Sequence, residues 1–235
     1  MIYVSYIEPL EATSYTLFIV GISALFGTVR NISSRLIDFK VLLFFGLPSL
    51  LSVYLTRYFI LPGLPEELFE FVGFKVSKDL FLITFLAFLM IIAALSMLHP
   101  KKIDDSNVEF SSVQSFLFIL ILGFVVGIIT GFVGAGGGFL IIPALVNFCK
   151  LPVKKAIATS LAIIAINAII GFLGDINKGV IVDYNLLFYF SISSLIGTFI
   201  GLYLSKSIRE NQLKILFGWF VLIMGVFIFV KELFF

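Results

Sequence analysis

The sequence predicts an all-α, polytopic integral membrane bundle made of two inverted repeats, with about seven spans and one short half-helix or re-entrant arm. Three observations predict it. The chain of 235 residues is 60% hydrophobic and 13% charged with a mean hydropathy of +1.17, more apolar surface than a soluble domain of this size could hide. Its apolar residues fall into stretches of the length a helix needs to cross a bilayer. Finally, one half of the chain resembles the other at a nearly constant offset.

Taken in order, Ala12–Val29, Val41–Leu61, Leu80–Leu98, Val113–Val133, Ala156–Gly174 and Tyr184–Leu204 are each long enough to span. Ile215–Val230 is shorter and reaches both interfaces if Lys214 and Lys231 extend their ammonium groups into the headgroups. Phe139–Cys149 is about half a span and suits a half-helix or re-entrant arm. Between the spans lie two polar connections, Pro62–Lys78 and His99–Ser112. The second is the seam between the halves, dividing the chain into a first repeat (1–98), a linker (99–112) and a second repeat (113–235). The opening residues carry Glu8 and Glu11 and lack the basic region of a cleavable signal.

The repeat is read from two alignments. At an offset of 146, Glu11-Ala12-Thr13-Ser14 falls on Ile157-Ala158-Thr159-Ser160; at 145, Asp38 falls on Asp183 and Ser49-Leu50-Leu51-Ser52 on Ser194-Leu195-Ile196-Gly197. The second copy is preceded by a glycine-rich segment whose counterpart would fall at residue numbers below 1. The expectation is therefore that the chain starts inside a connection, either as a fragment of a longer protein or with half of its site lost. Basic residues set the direction. Arg30, Arg35, Lys40, Lys101, Lys102, Lys150, Lys154, Lys155, Lys206, Arg209 and Lys214 all fall on one side if the short arm returns the chain, which places that side in the cytoplasm and inverts the second repeat.

Gly123 to Pro143, GFVVGIITGFVGAGGGFLIIP, is where the sequence points to a site. Gly123, Gly127 and Gly131 lie near one helical face and read as helix packing, whereas Gly134, Gly136, Gly137 and Gly138 should break the helix. Pro143 falls within or kinks the short arm that follows. The first N–H groups of that arm then face the break and can bind an anion without a cationic side chain, although a hinge or close-packing role explains the same glycines. The spacing fits neither a dinucleotide fingerprint nor a phosphate loop. Thr159 and Ser160, with their mates Thr13 and Ser14, either line that site or cap and bond their own helices. Asn167, mid-helix, must bond a neighbour or face a cavity.

Those residues carry a resemblance. GFVVGIITGFVGAGGGFLIIPALV followed by KKAIATSLAIIAINAIIG, with EATSYTLFIVGISALFG as the same second element in the first half, resembles the sulfite exporter TauE/SafE family of membrane permeases. The resemblance implies transport of a small anion (sulfite, sulfoacetate or a related organosulfur compound) across the bacterial inner membrane, with the first glycine element of the family absent. Alternating access around a site between the repeats is the expected mechanism. The alternative is a non-transporting assembly protein or an inactive relic. No cofactor is expected: a single Cys149 and a single His99 cannot form a Cys/His metal cluster, the net charge of +2 does not suggest nucleic acid, and no constellation for an enzyme stands in the spans. The partners are a small anionic substrate and the lipid bilayer, and a homo-oligomer is compatible with the chain. No charged residue is central in any expected span, Arg57 standing near the end of the second, which argues against a carboxylate proton relay.

Overall fold

The computed structural model describes residues 9–60, 63, 65, 67–71, 74–99, 113–133, 138–177 and 183–234. The linker beyond His99 therefore lies outside the described residues. Eight α-helices run through the described residues: α1 (Pro9–Ser33), α2 (Phe39–Leu55), α3 (Lys78–Leu98), α4 (Val113–Val133), α5 (Gly138–Asn147), α6 (Val153–Asn177), α7 (Tyr184–Ser207) and α8 (Glu210–Phe234). Six of them are long and apolar enough to cross a membrane. α4, with the shorter apolar stretch Phe116–Phe132, lies along α2, and α5 is the expected short arm. The polar connection before α3 holds a small antiparallel hairpin, β1 (Glu67–Phe71) and β2 (Phe74–Ser77). Phe69 and Phe71, aromatic residues of high strand propensity, favour the first strand.

Helix starts follow local chemistry. Asp38, Ser77 and Asp183 sit in extended backbone before α2, α3 and α7, and each side chain accepts a hydrogen bond from a first-turn N–H. Such caps satisfy donors that lipid cannot. α2 ends in a π-helical turn, Thr56–Ile60, an element that proteins place disproportionately at functional positions.

Helix directions come from side-chain neighbours. Along α1 and α6, Ser14 meets Asp175, Leu17 meets Gly171, Gly21 meets Ala168 and Gly27 meets Leu161, so the two helices are antiparallel. Along α3 and α8, Gly225 lies beside Met90 and Gly218 beside Leu98, again antiparallel. α2 and α4 are parallel, with Gly123 against Phe45, Gly127 against Ser49 and Gly131 against Thr56. α2 also runs parallel to α6, through Asp38 with Thr159 and Asn167 with Ser49. Similarly, α7 runs parallel to α1, through Asp183 with Tyr15 and Arg30 over the Phe199 ring.

The offset that aligns the repeats matches Asp38 with Asp183. The backbone N–H of Asp38 donates to Thr159 Oγ1 of α6 at 3.0 Å, and that of Asp183 donates to Tyr15 Oη of α1 at 2.9 Å. Each of these two helix starts thus donates its backbone N–H to a hydroxyl, Asp38 to α6 and Asp183 to α1, at opposite ends of the antiparallel α1–α6 pair. α5 turns the chain back: Gly138 stands beside Ile164, halfway along α6, while Asn147 reaches Ser96 near the end of α3. Arg30, Arg35, Lys40, Lys154, Lys155, Lys206 and Lys214 consequently gather at one end, and Arg57, Asp175 and Asp183 at the other.

The core surrounds α5, where Ile141 to Val146 are all buried against Phe45, Met97, Val126 and Ile163. Leu47, Leu51, Tyr189, Phe199, Trp219, Phe220 and Phe227 form part of an exposed apolar exterior, the surface that lipid requires. Cys149, just beyond α5, is buried, and its thiol is pushed up to about 12 by desolvation first and by the charge of Asp38 second.

A methyl group at Gly127 would stand 2.5 Å from Ser49 O and 2.7 Å from Ser49 Cα, both backbone atoms that cannot swing aside. Gly127→Leu should therefore separate α2 from α4 and cost about 3 kcal/mol or more, whereas Gly197→Leu, at a glycine with nothing within 4 Å, should be silent. Thermal unfolding in detergent compares the two. Cys149 should resist maleimide at pH 8 in the folded protein and react once it is denatured, because the thiolate is the reacting form.

Candidate functional site

Gly134, Gly136 and Gly137 lie outside the described residues, as does the side chain of Thr13. Gly138 opens α5, where a methyl would stand 2.7 Å from Ile164 Cδ1. Gly123, Gly127 and Gly131 form the close face of α4 on α2, and Pro143 is buried within α5. Thr159 and Ser160 are buried at the basic end, the first accepting from Asp38 and the second donating to Ile157 O at 2.9 Å. Asn167 and Ser14 stand further along the α1–α6 pair, toward the other end. The structure brings Gly138 and Asn167 to adjacent turns of α6, and it keeps Thr159 two turns away.

Asn167 marks a cavity of about 320 Å³, within the range of small-molecule sites. Leu50, Val53, Tyr54, Arg57 and Tyr58 line it from α2 and its π turn, and Asn167, Ile170, Gly171, Gly174 and Asp175 from α6. The wall is mostly apolar, with the polar groups of Arg57, Asn167 and Asp175 and the phenols of Tyr54 and Tyr58 set into it. Asn167 Nδ2 donates to Ser49 Oγ at 3.1 Å, which leaves Oδ1 buried without a hydrogen-bond partner. Gly171 leaves room for the guanidinium, since a methyl there would stand 3.4 Å from Arg57 Nη1. Gly174 has nothing within 4 Å.

Arg57 and Asp175 form an ion pair, Nη1 to Oδ2 at 3.5 Å, with side chains 11% and 7% exposed. The pair is too long for a good hydrogen bond, and Arg57 Nη1 has no other hydrogen-bond partner. Asp175 Oδ2 instead accepts from Ser14 Oγ at 2.8 Å. Charges at this depth need partners, and the guanidinium has a donor left over. That combination suits a small anion or a polar molecule with an acceptor at one end. Thr56 Oγ1 and Thr130 Oγ1, in the last turns of α2 and α4 before the glycine run, are likewise buried without partners.

The carboxylate was not expected. The anticipated span Ala156–Gly174 stops one residue short, but α6 continues to Asn177 and turns Asp175 inward in its final turn. The signal available in the sequence was weak: Arg57 and Asp175 are each a lone charge at the end of an apolar helix, the usual appearance of an interfacial anchor.

The family model described as sulfite exporter TauE/SafE matches residues 1–228. The chain belongs to the TauE/SafE family. It is accordingly a multi-pass membrane protein of a transporter family, with the lipid bilayer as its solvent. A "probable membrane transporter protein" of Methanocaldococcus jannaschii is 25% identical over 224 residues, covering 92% of this chain and 78% of that protein. The "probable membrane transporter protein YunE" of Bacillus subtilis is 32% identical over 125 residues, covering 50% of this chain and 45% of YunE. A "probable membrane transporter protein" of Haemophilus influenzae is 36% identical over 105 residues, covering 44% of this chain and 39% of that protein. No solved structure matches this TauE/SafE chain.

Removing one member of a buried pair strands the other. Arg57→Gln should lower the stability of the detergent-solubilised protein by about 3–5 kcal/mol, and the double change with Asp175→Asn should recover most of that loss. Chemical denaturation of the two variants checks it.

Proposed function

We propose that this TauE/SafE protein is a permease that moves a small anion, sulfite, sulfoacetate or a related organosulfur compound, across the inner membrane by alternating access. The repeats at 1–98 and 113–235 rock against one another about the α1–α6 seam, and the basic end faces the cytoplasm. One observation carries the reading: a buried guanidinium with an unpartnered donor lines a cavity between elements of the two repeats. A structural ion pair would use its donors, and a lipid anchor would not be buried.

Further support comes from depth. The N-terminus of α5 stands beside Ile164, one turn from Asn167, so the positive end of the α5 dipole and the Arg57 cavity flank the same stretch of α6. In this reading Gly134, Gly136, Gly137 and Gly138 supply backbone N–H groups to the anion, Asn167 stands one turn from the Ile164 that Gly138 touches and lines the cavity with Arg57, and Ser14 steadies Asp175. Thr159 and Ser160, with Thr13 on the other repeat, sit at the helix starts that swing as the halves rock.

Proteoliposomes loaded with sulfite or sulfoacetate test this. The wild-type protein should carry one of the two, and Arg57→Gln and Gly137→Leu should each reduce initial flux at least roughly tenfold without changing insertion. Unchanged flux in both variants overturns the assignment. An inert but well-folded wild type across a panel of sulfur anions favours the non-transporting alternative.

A further inference from the structure

Building on the anion-site reading, we propose that Asp175 is an internal competitor for Arg57, and that an anion enters the cavity together with a proton on Asp175. In the structure the carboxylate is the counter-ion of the guanidinium that an incoming anion needs. Both are buried in a mostly apolar cavity, and among the described residues they are the only fully charged groups that line it. Among the described residues the neighbouring elements contribute no other compensating charge: α2 and its π turn offer the phenols of Tyr54 and Tyr58, and α1 the Ser14 hydroxyl. Asp183, at the start of α7, is exposed and meets α1 through its backbone N–H on Tyr15.

Charge balance then dictates the exchange. With Arg57 cationic and Asp175 anionic the empty cavity is neutral, and adding a monoanion alone would leave one uncompensated negative charge in apolar surroundings. If a proton from water binds the Asp175 carboxylate as the anion binds Arg57, the cavity remains neutral. No covalent bond changes beyond the new O–H, which leaves with the anion when the cycle reverses. Geometry favours the swap, because the ion pair is long and unsupported by a hydrogen bond between its members. Only Ser14 holds the carboxylate through a hydrogen bond within the described set.

Methanesulfonate is the probe, since its charge does not change with pH. Calorimetry on the purified full chain, with a pH indicator in weak buffer, reads affinity and proton uptake together. The wild type should take up about one proton per anion bound, with affinity falling about tenfold per pH unit on the alkaline side. Asp175→Asn should take up none, lose the pH dependence and bind on the order of tenfold tighter at pH 8. Should that variant not fold without its ion pair, Ser14→Ala leaves both charges in place and should tighten binding a few-fold with proton uptake retained. Binding that depends on Arg57 without proton uptake, uptake that survives Asp175→Asn, or Ser14→Ala affinity equal to wild type overturns the competition while leaving the anion site standing. Equal binding by Arg57→Gln, or no binding by the wild type at any pH, removes the site itself.

Discussion

The antiparallel seam between α1 and α6 is narrow because small residues meet along it, and its two ends position the rest of the bundle. Gly21 faces Ala168, and Gly171 admits Leu17 on one side and Arg57 on the other. At one end Thr159 holds the start of α2, and at the other Tyr15 holds the start of α7. In a bilayer the helices gain nothing from hiding apolar surface from one another, so close backbone approach and buried hydrogen bonds must do the associating. α6 consequently has 56% of its span window buried, against 11% for α7. Of the six long spans, the helix at the seam is the most buried.

Around that seam the glycines have distinct tasks. On α4 they bring backbone against backbone, so that α2 lies flush with a neighbour from the other half. On α6 Gly171 clears space for a guanidinium, and at Gly138 a new helix begins beside Ile164 at mid-depth. The π turn after Leu55 is a second backbone irregularity, and it carries Arg57 into the cavity from the end of an otherwise apolar helix. Irregular backbone and buried charge thus converge on one length of α6.

Much of this was legible in the sequence for simple reasons. An apolar run of about 20 residues has one stable use in lipid, so the spans were readable to within a turn at most ends. The half-length of the Phe139 segment foretold α5, and the Ala-Thr-Ser recurrence marked the helices that form the seam. Asn167 could be singled out because an amide in mid-span must go somewhere. Asp175 could not. Its partner is 118 residues away, its own helix runs one turn further than hydropathy suggests, and nothing local distinguishes an inward carboxylate from one at the membrane surface. Likewise, the recurrence of Thr159 in a motif repeated within the chain did not reveal that its hydroxyl would receive the N–H of Asp38.

The π turn and the final turn of α6 have a consequence for how the halves differ. At the offset that aligns α2 with α7, Leu202 stands where Arg57 does, and at the offset that puts Ser14 on Ser160, Val29 stands where Asp175 does. α1 and α6 run antiparallel, and so do α2 and α7, yet the charges carried by one copy are missing from the other. The molecule therefore has a chemical polarity along the membrane normal: a particle crossing it meets different thresholds in the two directions.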